Sequence, residues 1–425
     1  MVSLILFGVF FLLLFLNIPI GLSLGISSVA ALLYEKLPLS MIPSNLYSST
    51  GKFVLLAIPF FILGGNVMEK SGISSRLINF CRTLVGHKKS GMAMVCVIVS
   101  CFFAAISGSG PATVAALGMI IIPAMTRVGY DKASSAALMS TAGAIGIIIP
   151  PSITFVIYGS ITGKSVGALF ASGILPGLLM GFSLILAMQF VSRDRPLDLL
   201  PKASWPERWK NFKEAFWGLM MPVIILGGIY GGIFTPTEAA AVSAVYGLIV
   251  GLFIYRTLRW KDLLSLLRDS VSQTAVVMFI VGTASLFAWV LTVTGIAASA
   301  SNALVEICGG NKYIFLLIVN VILLIAGCFI DANSAMYIIV PILYPVATSL
   351  GIDGVHLGCI MVMNLAIGLV TPPVGVNLYV GCGISNISLK QISKAVLPFV
   401  GASLLALLLT TYIPFFAMGI PSLLG

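Results

Sequence analysis

The chain has 425 residues, of which 59% are hydrophobic and only 8% are charged. Soluble domains are nearer half apolar and a quarter charged, so this composition excludes an ordinary soluble protein. The net charge is +10, but no nucleic-acid-binding motif accompanies the basic residues, and no nucleic acid is expected as a partner. Apolar segments recur along the whole chain, about eleven or twelve of them at roughly 20 residues per crossing. The expected fold class is an all-α polytopic membrane protein in a lipid bilayer.

The first apolar segment covers residues 4–16 and continues past Pro19 to Tyr34. No lysine or arginine precedes it, and it is longer than a signal-peptide core, so it is predicted to be retained as a membrane helix. Residues 75–89 combine apolar and basic positions in the manner of an amphipathic helix at the membrane surface.

Lysine and arginine are concentrated in three clusters, at 70–89, 193–213 and 256–268. The positive-inside rule assigns these clusters to the cytoplasmic side of the membrane. The longest polar stretch, 192–214, is predicted to be a loop.

The segment 104–118, AAISGSGPATVAALG, places small and polar residues inside an apolar region. Its hydroxyl groups belong to Ser107, Ser109 and Thr113. Its helix-breaking residues are Gly108, Gly110 and Pro111. The segment is predicted to form the tip of a re-entrant hairpin. The alternative is that its small residues only allow helices to pack closely.

The sequence GIIIPPS at 146–152 follows this hairpin. Proline inside a helix removes a backbone hydrogen bond and kinks or breaks the helix. Irregular backbone at membrane depth is tolerated only inside protein or beside a cavity. A broken helix is therefore predicted near 143–160, although a Pro-Pro pair alone would also suit a helix that ends at a packed corner.

The sequence GIFTPTEAAAV begins at residue 232. Thr235 suits a helix N-cap, Pro236 the first helical position, and Glu238 the third. A capping box with a structural role is predicted here.

A second hairpin is predicted near 326–341, AGCFIDANSAMYIIVP, with Asp331, Asn333 and Ser334 at its tip. GLVTPPV at 368–374 predicts a second broken helix near 364–381. An acid between apolar segments is costly and usually marks an ion or proton path. Oxygen ligands without cysteine or histidine suit a hard cation, which favours sodium or a proton as coupling ion.

Four pairs of landmarks recur in the same order at nearly one offset. They are Gly72 and Gly295 (295 − 72 = 223), Pro123 and Pro341 (341 − 123 = 218), Gly146 and Gly368 (368 − 146 = 222), and Pro176 and Pro398 (398 − 176 = 222). Recurrence at a fixed offset indicates an internal duplication, with a small insertion near the second pair. The predicted repeats are residues 1–215, which include N-terminal scaffold helices, and residues 216–425.

Corresponding loops of the two repeats differ in charge. The loop after Gly72 is strongly basic, whereas the loop after Gly295 holds one lysine and one glutamate. Corresponding loops are therefore predicted to lie on opposite sides of the membrane, as in inverted-topology repeats of secondary transporters. Interrupted helices at matching positions are the best sequence pointer to a transporter's binding site.

Enzymatic chemistry has little support. The seven cysteines are scattered singly, the two histidines, His87 and His356, are predicted to lie in loops, and no Walker-type phosphate loop is present. Asp331 stands alone at membrane depth, whereas an intramembrane hydrolase needs a catalytic pair. The protein is not expected to be an enzyme.

GIFTPTEAAAV, SGSGPATVAALG, GIIIPPS and GLVTPPVGVNLYV together resemble the large membrane subunit (M subunit) of tripartite ATP-independent periplasmic (TRAP) transporters, over essentially the whole chain. The resemblance implies an importer with a scaffold and a transport part that moves like an elevator. It also implies that the hairpin tips and Pro-Pro breaks build the sodium sites and flank the substrate.

The predicted sodium-binding residues are Ser107, Gly108, Ser109, Gly146, Ile149 and Pro150 in the first repeat, and Asp331, Asn333, Gly368, Thr371 and Pro372 in the second. The predicted substrate-binding residues are Ser109, Thr113, Pro151, Ser334, Pro373 and Asn377. Na⁺ is the only ion expected, without a transition metal.

The resemblance implies sodium-coupled import of an organic acid anion across a bacterial inner membrane. A periplasmic substrate-binding protein (P-type) would deliver the substrate, and a small four-helix membrane subunit (Q-type) is expected as a separate chain. Sialic acid is the favoured substrate. The alternatives are C4-dicarboxylates in the same transporter class, or a stand-alone ion-coupled transporter or channel.

Overall fold

The computed structural model describes residues 1–424, and over these residues the chain is helical without any strand. The last position of the predicted second repeat, 425, lies outside the described residues. The helices up to the middle of the chain are α1 (Val2–Phe15), α2 (Ile20–Tyr34), α3 (Met41–Thr50), α4 (Ala57–Lys70), α5 (Ile73–Val85), α6 (Gly91–Ser107), α7 (Gly110–Arg127), α8 (Lys132–Ala144), α9 (Ile153–Thr162), α10 (Val166–Val191) and α11 (Trp205–Tyr230).

The remaining helices are α12 (Pro236–Ile249), α13 (Asp262–Val293), α14 (Ile296–Cys308), α15 (Lys312–Phe329), α16 (Ala332–Ser349), α17 (Gly354–Gly368), α18 (Val376–Ser385), α19 (Leu389–Ala395), α20 (Leu397–Tyr412) and α21 (Phe415–Leu424). Short 3₁₀ segments at Phe53–Leu56 and Ile145–Ile147 precede α4 and follow α8, and a π-helical turn at Val250–Ile254 extends α12.

Helix boundaries in the two halves repeat at one offset. Helices α7 and α16 both have 18 residues and begin 222 positions apart (332 − 110). Helices α5 and α14 both have 13 residues and begin 223 positions apart (296 − 73). The Pro150–Pro151 and Pro372–Pro373 bonds, both cis, also differ by 222 (372 − 150). The matching elements run from α5 to α10 and from α14 to α20, whereas the predicted boundary between residues 215 and 216 falls inside α11.

One pair of landmarks changes partner in the structure. Pro123 and Pro345 each occupy position 14 of their 18-residue helices (123 − 110 + 1 and 345 − 332 + 1). The sequence pairing of Pro123 with Pro341 is therefore wrong by one helical turn, because α16 contains two prolines. No insertion is needed between the repeats at this point.

Among residues 1–424, seven helices are long and apolar enough to cross a membrane, or eight if α19 and α20, bent by 47°, form one span. Eight further apolar helices in this part of the chain have only 10–17 residues. The sequence count of eleven or twelve segments differs because hydropathy alone does not show where the backbone of an apolar segment is interrupted.

Three local expectations have clear outcomes. The stretch 192–214 is only partly a loop, because Ser204 caps α11 and helix begins at Trp205. His356 is buried inside α17 rather than in a loop, and its Nε2 lies 2.9 Å from the Thr410 carbonyl oxygen. The capping box at Thr235 is confirmed, since its hydroxyl accepts from the Glu238 amide and the Glu238 carboxylate accepts from the Thr235 amide.

The packing divides the helices into two groups that meet at α4 and α13. Helices α1–α4 and α11–α13 pack largely on one another, and the hairpin helices α6–α7 and α15–α16 pack with α8, α10, α17 and α20. Helices α9 and α18 are exchanged between the halves: α9 packs on α16, and α18 packs on α7 and α8. Because of this exchange, the two hairpin tips border the same space.

Candidate functional site

The first hairpin tip holds three oxygen atoms close together. Gly108 has φ of +60°, which ends α6, and Ser109 then begins α7 as its N-cap. The Ser107 and Thr113 hydroxyl oxygens lie 2.9 Å apart, and the Thr113 hydroxyl donates to the Ser109 carbonyl over 2.8 Å. The tip is therefore a compact group of oxygen atoms in a turn that needs glycine.

The first helix break lies against this tip. A Cβ atom built on Gly146 would be 2.9 Å from both the Ser109 carbonyl oxygen and the Thr113 hydroxyl oxygen. A Cβ atom built on Gly108 would be 2.8 Å from the Pro151 carbonyl oxygen. The hairpin and the Pro-Pro segment thus approach at positions where only glycine leaves room.

The second hairpin tip carries a carboxylate where the first carries a serine. Asp331 is the N-cap of α16, at the position that matches Ser109 (331 − 109 = 222). Its Oδ1 accepts from the amides of Asn333 and Ser334 over 2.9 and 3.0 Å, and its Oδ2 accepts from the Ser334 hydroxyl. The negative charge of Asp331 is fixed at the positive end of the helix dipole.

The second helix break also lies against the hairpin of its own half. Its close contact is with the hairpin helix α15 rather than with the hairpin tip. A Cβ atom built on Gly368 would be 2.5 Å from the Cα atom of Gly327 in α15. The Thr371 hydroxyl donates to the Ile367 carbonyl over 2.7 Å. Within residues 1–424, no hydrogen bond joins Thr371 to Asp331.

Two contacts cross between the halves. The Thr154 hydroxyl at the start of α9 donates to Oδ1 of Asn333 over 3.3 Å. The Asn377 side-chain nitrogen at the start of α18 donates to the Ser140 carbonyl over 3.0 Å, and Asn377 lies beside Gly110. Each exchanged helix therefore contacts the hairpin of the opposite half.

A cavity of about 640 Å³ lies between the two groups of helices, where both tips meet α4 and α13. Its polar lining consists of Asn66, Glu69, Ser107, Ser109, Thr154, Ser272, Gln273, Asp331 and Asn333. Among the described residues, those that line it include two acids but neither a lysine nor an arginine. An anion in this cavity would depend on backbone dipoles, polar side chains and bound cations.

The predicted site residues divide into two classes. Ser107, Gly108, Ser109, Asp331 and Asn333 line the cavity. The others are not among its lining residues: Thr113, Gly146, Ile149, Pro150, Pro151, Ser334, Gly368, Thr371, Pro372, Pro373 and Asn377. Direct contact with ion or substrate stays a prediction for the residues of both classes.

Five polar residues that line the cavity were absent from the predicted site: Asn66, Glu69, Thr154, Ser272 and Gln273. Asn66 donates to the Ser270 hydroxyl over 2.9 Å and to Oε1 of Gln273 over 3.4 Å. The available sequence signal was a few polar side chains within apolar helices, which usually face protein or a cavity.

The cavity continues toward the basic end of the molecule. A groove of about 360 Å³ shares Asn66, Glu69, Ser272 and Gln273 with it and reaches the ion pair between Lys70 and Asp269, whose atoms are 2.7 Å apart. The three basic clusters meet at this end. The Arg76 guanidinium carbon lies 3.9 Å from the centre of the Tyr255 ring, and the Tyr255 hydroxyl donates to the Glu214 carbonyl over 2.5 Å.

Comparison with known proteins identifies the family of this chain. The family model described as "Tripartite ATP-independent periplasmic transporter, DctM component" matches residues 7–416. The chain belongs to this family. The relatives in this family are membrane transporter permeases, not enzymes.

Individual relatives cover nearly the whole chain. The C4-dicarboxylate TRAP transporter large permease protein DctM of Pseudomonas aeruginosa is 44% identical over 404 residues, covering 95% of this chain and 94% of its own length. The sialic acid TRAP transporter large permease protein SiaM of Vibrio cholerae is 37% identical, with 97% and 96% covered. The isethionate TRAP transporter permease protein DctMQ of Oleidesulfovibrio alaskensis is 43% identical, with 96% of this chain but 65% of its own length covered.

Among solved structures, the YdaH transporter of Alcanivorax borkumensis, described as having an unusual topology, has a similar fold. Its TM-score is 0.63 at 15% sequence identity, with 90% of this chain and 88% of that chain covered. At this identity the similarity supports the polytopic helical fold and carries nothing about substrate.

Proposed function

We propose that this TRAP large permease subunit imports an organic acid anion together with sodium ions. The observation that carries the proposal is the cavity that joins both hairpin tips. Helices α7 and α16 begin at its wall, and helix N-termini favour negative charge. Asp331 and Glu69 also line the cavity and add negative charge there. The charge of an anionic substrate must therefore be offset by cations that enter with the substrate.

Sodium suits the oxygen atoms present. The first tip offers the Ser107 and Thr113 hydroxyls and the Ser109 carbonyl, and the second offers the Asp331 carboxylate. Hard cations prefer such ligands. The backbone beside Gly146 and Gly368 would supply further carbonyl groups.

An elevator movement is the proposed means of alternating access. The cavity lies between the two groups of helices rather than inside either, and it continues to the end that carries the basic clusters. On the positive-inside rule this arrangement faces the cytoplasm. Gly65 of α4 permits close approach of the first tip, since a Cβ atom there would be 3.3 Å from the Ser107 Cα atom.

The substrate class is proposed as a small organic acid. Relatives named for C4-dicarboxylates and for sialic acid both align over nearly the full chain, so similarity supports the two equally. Delivery by a periplasmic substrate-binding protein and residence in a bacterial inner membrane are proposed on the basis of the family. A separate small membrane subunit is proposed because relatives that align over nearly the whole chain are named as large permease proteins.

The proposal is tested by uptake into proteoliposomes under an imposed sodium gradient without nucleotide. The chain is reconstituted alone, with the small subunit, and with both partners, and succinate and sialic acid are compared. Uptake is expected only in the complete system and only with sodium. Equal uptake with potassium contradicts sodium coupling, and concentrative uptake by the chain alone contradicts the tripartite assembly.

Two variants test the assignment of ion ligands. Ser109→Ala and Asn333→Ala are expected to raise the sodium concentration for half-maximal uptake, because both side chains line the cavity at the hairpin tips. If both variants keep the parental sodium curve, these residues are not part of the ion sites.

A further inference from the structure

A second concave site lies away from the transport cavity, at the basic end of the molecule. It has a volume of about 380 Å³ and is formed by the turn before α6 and the C-terminal end of α10. Lys88, Lys89 and Arg193 line it, together with the polar side chains of Gln189 and Ser192. This group of residues is called the basic pocket below.

The basic pocket has excess positive charge. The ion pairs within residues 1–424 include neither Lys88 nor Lys89. Arg193 has one carboxylate partner, Asp194, at 3.1 Å from its Nε. The nearby Arg195 faces Asp131 at 3.7 Å. Three cationic side chains therefore line the pocket and only one of them has a carboxylate partner, so a bound anion would offset the remaining positive charge.

The approach to the basic pocket is apolar. Leu186 and Phe190 lie four residues apart and share a face of α10, and Arg193 follows in the turn just beyond the C-terminal end of that helix. Leu186 and Phe190 are 48% and 67% exposed, and the Arg193 guanidinium carbon lies 5.0 Å from the centre of the Phe190 ring. A cationic pocket thus joins an exposed apolar stripe that points along the membrane-spanning part of α10.

We propose that the basic pocket binds the phosphate headgroup of an anionic phospholipid, with an acyl chain against Leu186 and Phe190. Basic pockets between membrane helices at the cytoplasmic surface have the charge and position to bind such headgroups, and anionic lipids are enriched in that leaflet. The positive-inside rule accounts for lysines in this loop but requires neither a concave site nor the stripe beneath it. A soluble phosphate ion would bind in the pocket without contacting Leu186 or Phe190. This difference distinguishes a phospholipid from a free phosphate ion as the ligand.

Binding is measured by native mass spectrometry of the full-length chain in neutral detergent, titrated with phosphatidylglycerol or phosphatidylcholine. Phosphatidylglycerol is expected to bind preferentially. The variant Lys88→Gln/Lys89→Gln is expected to weaken that binding about 25-fold, at about fivefold for each lysine. The matched control is Lys390→Gln/Lys394→Gln, which removes the same charge from exposed positions of α19.

The result that overturns the proposal is equal binding of the two lipids, or an equal loss of affinity in the control variant. Displacement of phosphatidylglycerol by inorganic phosphate alone also overturns it, because the site would then belong to a soluble anion. If the double lysine variant does not fold, Lys88→Gln and Arg193→Gln are measured singly. Each is expected to lose about fivefold in affinity, and parental affinity in both contradicts the assignment.

Discussion

The Thr154 hydroxyl donates a hydrogen bond to Oδ1 of Asn333 over 3.3 Å and so links helix α9 of one half to the hairpin tip of the other. Asn333 lines the transport cavity, and Thr154 does too. The orientation of a proposed ion ligand in the second half therefore depends on a residue from the first half.

Thr154→Val removes this hydrogen bond and keeps the shape of the side chain. We expect the sodium concentration for half-maximal uptake to rise about fivefold, the equivalent of one hydrogen bond. Thr154→Ser should restore the parental value. Thr162→Val is the control, because its hydroxyl donates only within α9, to the Tyr158 carbonyl. A parental sodium curve for Thr154→Val would show that the contact has no role in ion binding.

Gly146→Ala tests whether the helix break must contact the hairpin tip. The added Cβ atom would be 2.9 Å from the Ser109 carbonyl oxygen and the Thr113 hydroxyl oxygen, so one of the two segments must shift. An overpacked contact costs about 1–3 kcal/mol, so the sodium requirement should rise about tenfold or more. Gly401→Ala is the control, since nothing lies within 4 Å of a Cβ atom there. Similar sodium curves for both variants would contradict the predicted first ion site.

Asp331 is both the N-cap of α16 and a negative charge, and two variants test these roles separately. Asn caps helices about as well as Asp, so Asp331→Asn should lower thermal stability less than Asp331→Ala, which should cost about 1 kcal/mol. Both variants should raise the sodium requirement about tenfold or more, because the charge of the ligands sets cation affinity. The measurements are thermal unfolding and sodium-driven uptake. Parental uptake by Asp331→Asn would exclude the carboxylate as an ion ligand.

A variant of Gln273 tests whether the wall of the cavity formed by α13 contacts the substrate. Its Oε1 accepts from Asn66, which leaves its amide hydrogens for a carboxylate in the cavity. Gln273→Ala should raise the substrate concentration for half-maximal uptake about fivefold to tenfold, with the sodium curve unchanged. Val271→Ala, at a position 65% exposed on the same helix, should change neither curve. A shift in the sodium curve instead would place Gln273 at an ion site.

Local sequence patterns predicted the parts of this molecule that depend on local chemistry. Glycine, proline and serine marked the turn at Gly108, and Thr235 with Glu238 marked a capping box, because these residues determine backbone geometry where they stand. The fixed offset of Gly146 and Gly368 indicated the repeat that the helix boundaries also follow.

Contacts distant in sequence were not predictable in the same way. Nothing in the pattern of α9 shows that it packs on α16, since an apolar helix suits either half equally. Thr113 and Ser334 are predicted to contact substrate, and in the structure both are buried, with hydroxyls that donate to the Ser109 carbonyl and the Asp331 carboxylate. Sequence shows that a hydroxyl is present but not which neighbour takes its hydrogen bond.

The exchange of α9 and α18 has a consequence for how the chain assembles. Each half contributes a helix to the other, so part of each hairpin is covered by a helix of the opposite half, α16 by α9 and α7 by α18. Two half-length polypeptides, divided between α11 and α12, would resemble an antiparallel dimer whose subunits are completed by swapped helices. Such fragments should be insoluble or degraded when made singly and recover a cavity only when synthesised together.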